Sequence, residues 1–325
     1  MASVLLGHPA SLGHDTGPGH PERAERIRAI EKALSGEAFR TLKRLEAPRG
    51  GMEAVLRVHP AEYVGKIESA VPLEGLVALD SDTIMSPGTF EALLHAAGGA
   101  VLAVDVVMRG EADNAFLAAR PPGHHAERAR PMGFCLFNTA AIAARHAQAA
   151  HGAERVAIMD FDVHHGNGTQ AIFWSDPSVL YCSTHEMPLF PGTGARRERG
   201  EYDTIVNAPL SAGDDGRVFK EAMEAVILPR IAAFAPNVIV ISAGFDAHYR
   251  DPLANLNLTE ADFAWATGKL IDVALDHCDG RIISVLEGGY DLEGLAGSVA
   301  AHVLTLMGRR MPTHTPPSDQ ASTGS

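Results

Sequence analysis

The sequence predicts an α/β protein, a parallel sheet with helices on both faces, on three observations. Strand-like and helix-like segments alternate between residues 114 and 307, as in sheets whose parallel strands are joined by helical crossovers. Residues 237–242, NVIVIS, form an unbroken apolar, β-branched run of the kind buried on both faces. Hydrophobic residues fill 46% of the 325 positions, and neither a repeat nor a Pro/Ser linker interrupts the chain before residue 311. One domain over residues 1–310 is therefore expected. The tail, 311–325, is rich in Pro, Ser and Thr, lacks periodicity and is expected to be disordered.

The elements follow in order. HPERAER, from His20, opens a helix with proline near its start and acids in its first turn. Residues 87–108 read as a long helix, weakened at Gly98 and Gly99. A strand at 114–119, an alanine-rich helix at 139–150, and strands at 155–159 and 179–183 come next. Residues 218–233 read as helix, 237–242 as strand, and 259–276 as a helix with Glu260 and Asp262 in its first turn. The last strand spans 281–286 and the last helix 292–307. Residues 8–20, 120–137, 184–201 and 243–257 are left as long loops, which inside a domain are often functional.

Composition narrows the function. A net charge of −13 argues against a general nucleic-acid binder, which needs a basic face. Three scattered cysteines exclude a disulfide framework or a cysteine-based zinc site. With neither a basic apolar leader nor an 18-residue apolar run expected, the reading is a soluble, cytoplasmic protein.

Four chemical clusters each follow a predicted strand. They are His124-His125, the stretch Asp160 to Asn167, Asp246, and Tyr290. Open parallel sheets bind ligands at the carboxyl ends of their strands, so these clusters are expected to converge. Asp162 and His164 stand two apart and point to one side of an extended backbone, which suits two ligands on one ion. A catalytic zinc keeps three protein ligands and an open position. Asp246 is the best third ligand, with His248 a weaker competitor. Hydrolysis also needs a base and an acid near neutral pH, a role that suits His124 and His125. Asp160 and Asn167 flank the metal pair, and each can orient one imidazole. Tyr290, after Gly288-Gly289, can donate its phenol O–H to an oxyanion. Cys135 has no adjacent base, so nucleophilic catalysis is not expected of it. His165, Trp174 and Trp265 are read as structural.

Taken together, HPERAER, RPPGHHA, GFCLFN, DFDVHHGNGTQ, FPGTG, SAGFDAH with DPL, and EGGY resemble the histone deacetylase superfamily, especially its class II-like bacterial amidohydrolases. The resemblance runs from residue 20 to residue 290. It implies the arginase/deacetylase fold, a three-layer α/β/α sandwich around a mostly parallel eight-stranded sheet. It implies one Zn2+ per chain on Asp162, His164 and Asp246, with His125 as general base and acid and His124 as its electrostatic partner. Asp160 would orient His124, and Asn167 would orient His125. Tyr290 would polarise the acyl carbonyl. Phe134 and Phe190 match the walls of an acyl-lysine tunnel, Gly133 the carbonyl that receives the substrate amide, and Asp82 a rim carboxylate. A structural K+ would use Asp160 and Ser183 with the carbonyls of Asp162, His164 and Thr184.

The implied reaction is removal of acetyl or another short acyl group from lysine side chains of peptides or proteins. The alternative is an acetylpolyamine amidohydrolase. Polyamine-preferring relatives carry a gatekeeper glutamate near DPL. Leu253 stands there instead, tilting the reading toward acyl-lysine, although Glu127 or Glu186 could still supply the charge. A two-manganese ureohydrolase, which needs further bridging acids, and a catalytically dead acyl-lysine binding module are the remaining rivals. No nucleic-acid or membrane partner is expected, and a homo-oligomer is left open.

Overall fold

The computed structural model describes residues 1–308. The tail expected over 311–325 lies outside the described residues. The strands are β1 (Ser3–Gly7), β2 (Lys43–Glu46), β3 (Val77–Ala78), β4 (Ile84–Met85), β5 (Asn114–Leu117), β6 (Val156–Asp160), β7 (Val179–Glu186), β8 (Ile205–Leu210), β9 (Val238–Ala243) and β10 (Ile282–Leu286). Eight of them form one sheet in the order β2-β1-β5-β10-β9-β6-β7-β8, while β3 and β4 pair separately. Each neighbouring pair in the large sheet runs parallel, so the expected mostly parallel sheet is parallel throughout.

The two-residue period of the strands divides the core. Ala115, Leu117, Val156, Ile158, Val238, Val240, Ile283 and Val285 face one layer with the helices Thr89–Met108 and Thr139–His151. Phe116, Ala157, Met159, Ile239, Ile241 and Ile282 face the other, with the helices Glu25–Ala33, Glu260–His277 and Leu292–Leu306. This is a three-layer α/β/α sandwich. Each fully buried side chain such as Val240 or Ile241 stabilises it by about 1.5–3 kcal/mol.

Helix ends follow local chemistry. Asn138 accepts from the Ala141 amide to start the Thr139–His151 helix, and Gly152 ends it at a φ of 67°. Thr259 and Asp262 form a reciprocal capping box on the Glu260–His277 helix.

Several expectations change. β1, β2 and β8 were not anticipated, and β7 extends to Glu186, into the expected loop at 184–201. The first long helix starts at Glu25 rather than at His20, because Glu22 turns inward to bind buried arginines. The helix expected over 218–233 is interrupted by a π-turn at Met223–Ile227, just ahead of Pro229, whose missing N–H cannot continue the α ladder. Thr89–Met108, with a mean hydropathy of 1.6, is long and apolar enough by composition to cross a membrane, against the expectation of no such segment. In this fold 72% of it is buried, as a core helix.

Candidate active site

Sheet order explains why distant motifs meet. β5, β10, β9 and β6 are consecutive neighbours. The segments leaving their carboxyl ends carry His124-His125, Glu287 to Tyr290, Asp246, and Asp160 to Asn167 in turn.

Asp162, His164 and Asp246 are buried, and one ligand atom from each lies within 4.8 Å of the others. His164 Nδ1 stands 3.1 Å from Asp246 Oδ2 and 3.3 Å from Asp162 Oδ1. The loops hold one another's carboxylates: the Gly288 amide donates to Asp162 Oδ2 at 2.8 Å, and the Val163 amide to Asp246 Oδ1 at 2.9 Å. Glycine is required at these approaches. A Cβ on Gly244 would stand 2.0 Å from Asp162 Oδ2, and one on Gly288 would stand 2.1 Å from Asp246 Oδ2. Burial, then the neighbouring Asp162 charge, pushes the Asp246 carboxyl up to about 7. Two buried carboxylates and one imidazole, mutually repelling on the acid side, fit a divalent cation. His248 is placed elsewhere, with its Nε2 3.5 Å from Glu260.

The histidine pair is adjacent to this cluster. The rings of His124 and His125 lie 4.0 Å apart. His124 Nδ1 is 3.0 Å from Asp160 Oδ2, and His125 Nδ1 is 2.9 Å from Asn167 Oδ1. Burial opposes charge on His124, but Asp162, Asp160 and Glu287 outweigh it and hold its pKa well above the ordinary value. Burial and the charges of His124 and His164 hold His125 well below. The Tyr290 phenol is held well above its usual range by burial, which prevails over Arg26 and is reinforced by Asp246 and Asp162. It remains a donor at any physiological pH.

A cavity of about 220 Å³ opens above these groups, lined by Asp82, His125, Gly133, Phe134, His164, Leu189, Phe190, Leu253 and Tyr290. Phe134 meets Tyr290 edge-on at 5.8 Å, and Phe190 meets His125 edge-on at 5.1 Å. Gly133 takes a φ of 57°, and a Cβ there would lie 2.5 Å from His125 Cδ2. Asp82 Oδ1 accepts from the Gly133 amide at 3.1 Å and from Thr83 Oγ1 at 3.0 Å. Glu186 is buried, with both oxygens bound to Asn255, at 2.8 Å from its amide and 2.9 Å from Nδ2. Neither Glu186 nor Glu127 lines the cavity.

For the expected K+ site, Asp160 and Ser183 are register partners on β6 and β7. The Thr184 hydroxyl beside them is buried without a partner, and Ser183 Oγ is 2.8 Å from His185 Nδ1. These oxygens at the carboxyl ends of β6 and β7 fit a monovalent cation.

Two groups escaped the sequence reading. Glu287 accepts from the Gly123 and His124 amides at 2.7 and 3.0 Å and from Ser242 Oγ at 3.0 Å, fixing the dyad loop to β9 and β10. Glu22 binds both Arg26 and Arg120 in full burial, and Arg26 Nε donates to the Gly289 carbonyl at 2.7 Å, under Tyr290. Their positions inside HPERAER, RPPGHH and LEGGY were the available signal. A second cluster, Asp105, His146 and His151, also gathers ligand atoms within 4.8 Å. There Arg57 must donate to His146 Nδ1, at 3.0 Å, which leaves Nε2 as the N–H that donates to Asp105 at 2.9 Å. That arrangement is a hydrogen-bonded charge network, with the His146 lone pair already engaged.

Comparison with known proteins follows the same lines. The histone deacetylase domain model matches residues 20–306. A probable deacetylase of Archaeoglobus fulgidus is 41% identical over 301 residues, covering 90% of this chain and 83% of its own. A histone deacetylase-like amidohydrolase of Pseudomonas aeruginosa is 40% identical over 286 residues, covering 87% of this chain and 74% of its own. The crystal structure of the HDA15 HD domain superposes with a TM-score of 0.90 at 36% identity, covering 96% of this chain and 92% of that one.

Proposed function

This chain belongs to the histone deacetylase family and is a deacetylase-type hydrolase, and we propose that it removes acetyl or other short acyl groups from lysine side chains with one zinc ion on Asp162, His164 and Asp246. The observation that carries this reading is the buried three-ligand cluster beneath a cavity that also exposes His125 and Tyr290 between two phenylalanines. The ion, when bound, supplies Lewis-acid polarisation of the acyl carbonyl and acidifies water. His125, neutral through its depressed pKa, takes the proton of the attacking water and returns it to the departing amine. Tyr290 donates to the developing oxyanion. His124, kept charged against Asp160, contributes a fixed positive field beside that oxyanion. K+ on Asp160, Ser183 and the carbonyls of Asp162, His164 and Thr184 would brace the turn.

The choice of lysine over polyamine rests on the rim. Leu189 and Leu253 supply apolar surface, and the lining carboxylate, Asp82, is engaged by Gly133 and Thr83. Burial and the Asp80 charge raise its pKa, weakening it further as a partner for a distal ammonium. Enclosing the four methylenes of a lysine stem between Phe134 and Phe190 is worth about 3 kcal/mol at about 0.8 kcal/mol each. Kinetics of the purified protein on acetyl-lysine peptide, acetyl-spermidine and acetyl-putrescine, with metal content measured, test this reading. Higher kcat/KM on the small amines would overturn the lysine assignment.

A further inference from the structure

The geometry points to Glu127 as the positioning residue that fixes which way round the Asn167 amide sits, and through it which ring nitrogen of His125 carries the proton. The inference rests on the reading of His125 as the proton-transfer group. An amide has an acceptor end and a donor end of nearly equal size, so either can face an imidazole. In the orientation seen, Asn167 Oδ1 faces His125 Nδ1 at 2.9 Å. Asn167 Nδ2 then faces Glu127 Oε1 at 3.0 Å, Met132 Sδ at 3.2 Å and the His125 carbonyl at 3.5 Å. All three of these neighbours are acceptors. Reversing the amide would set its oxygen against a carboxylate, a thioether and a carbonyl, with no hydrogen among them.

The acceptor-only environment therefore dictates the oxygen toward His125. An oxygen there requires Nδ1 to carry the hydrogen, which leaves the Nε2 lone pair free to take a proton from water. Glu127 contributes nothing to the cavity wall and is not among the ion ligands. Its own place is set by the short turn in which its amide donates to the Arg130 carbonyl at 3.0 Å. Its carboxylate thus acts on the reaction at two removes, through Asn167 and then His125.

Donor and acceptor chemistry supplies the test. Glutamine at 127 can still accept, so Glu127→Gln should keep kcat on an acetyl-lysine peptide within about two-fold. Lysine can only donate, so Glu127→Lys should draw the Asn167 oxygen to itself and turn the NH₂ toward His125. That switches His125 to the Nε2–H tautomer, and kcat should fall about 100-fold with KM within about two-fold and bound metal unchanged. Aspartate at 167 accepts on both sides, so Glu127→Lys combined with Asn167→Asp should regain about ten-fold over Glu127→Lys alone. Side-chain ¹⁵N spectra of the histidines read the tautomer without reference to turnover. An unchanged His125 tautomer in Glu127→Lys, or a double variant no better than the single one, overturns the assignment. A switched tautomer upholds it; if turnover nonetheless stays intact, His125 is not the base, and the mechanism fails independently.

Discussion

The rings of His124 and His125 lie 4.0 Å apart, yet their Nδ1 atoms meet partners of different charge, a carboxylate on Asp160 and an amide on Asn167. Two neighbouring imidazoles of identical chemistry are thereby driven apart in proton affinity, His124 upward and His125 downward. Separation of this kind suits one neutral proton carrier beside one fixed positive charge, the roles proposed for His125 and His124.

The pH profile should report that separation. His125 must be neutral to accept a proton, and its depressed pKa keeps it neutral below the ordinary value of about 6.5. The acid limb of kcat/KM is therefore expected below pH 6.5 and is lost only as pH falls through the lowered value. Asn167→Asp places a negative charge beside His125 and should move that limb upward. A limb that stays put or moves down in the variant would contradict the assignment.

Tyr290→Phe should retain the ion, since Tyr290 is not a member of the ligand cluster. Its turnover on acetyl-lysine peptide should fall about 100- to 1,000-fold, the usual cost of one oxyanion donor, with KM little changed. Metal analysis and steady-state kinetics on the same preparation decide it.

Chelation should expose the Asp246 titration. Its carboxyl is pushed up from 3.8 to about 7 in the fold, so the folded chain holds that proton to higher pH than the unfolded chain. For a raised carboxylate the associated stability is present at low pH and lost as pH rises between about 4 and about 7. The chelated wild type should thus lose more Tm over that window than chelated Asp246→Asn. Restoring zinc at 100 times its Kd should add about 2.7 kcal/mol to the wild type. The variant should show little gain.

Gly288→Ala tests the close approach of the loops. The new methyl would stand 2.1 Å from Asp246 Oδ2 and 2.6 Å from Asp162 Oδ2. Loss of metal stoichiometry with the circular dichroism spectrum preserved is expected, and full metal occupancy would show that the loops yield.

Leu253→Glu should redirect specificity. Adding a carboxylate to the apolar rim should raise kcat/KM for acetyl-spermidine relative to acetyl-lysine peptide by about ten-fold, or about 1.4 kcal/mol of partly screened attraction. The gain should shrink in high salt. An unchanged ratio would remove the rim from the account of selectivity.

Much of this architecture was legible because apolar runs and chemical motifs are local signals. NVIVIS became β9, and DFDVHHGN delivered Asp162 and His164, with Asp160 and Asn167 beside the two histidines, to one place. β2 was not legible, since its residues KRLE are mostly exposed at the sheet edge and carry no apolar pattern. β8 contains Pro209, which argues against a strand, but it too lies at an edge, where a missing donor is tolerated. The buried charges were hidden for a different reason. Glu22 and Arg120 lie 98 positions apart, and a charged residue read alone is assigned to the surface. Only the fold shows that each is the other's solvent.

Arg26 reaches across the molecule to the carbonyls of Glu287 and Gly289, and its guanidinium lies 5.0 Å from the centre of the Tyr290 ring. An opening segment that lends no atom to the Asp162, His164 and Asp246 cluster is thus a strut beneath Tyr290. A chain stripped of that strut would still display every ligand and both imidazoles, with its phenol no longer aimed. A full inventory of motifs is therefore a poor measure of competence, and damage far upstream can silence chemistry that sequence inspection declares intact.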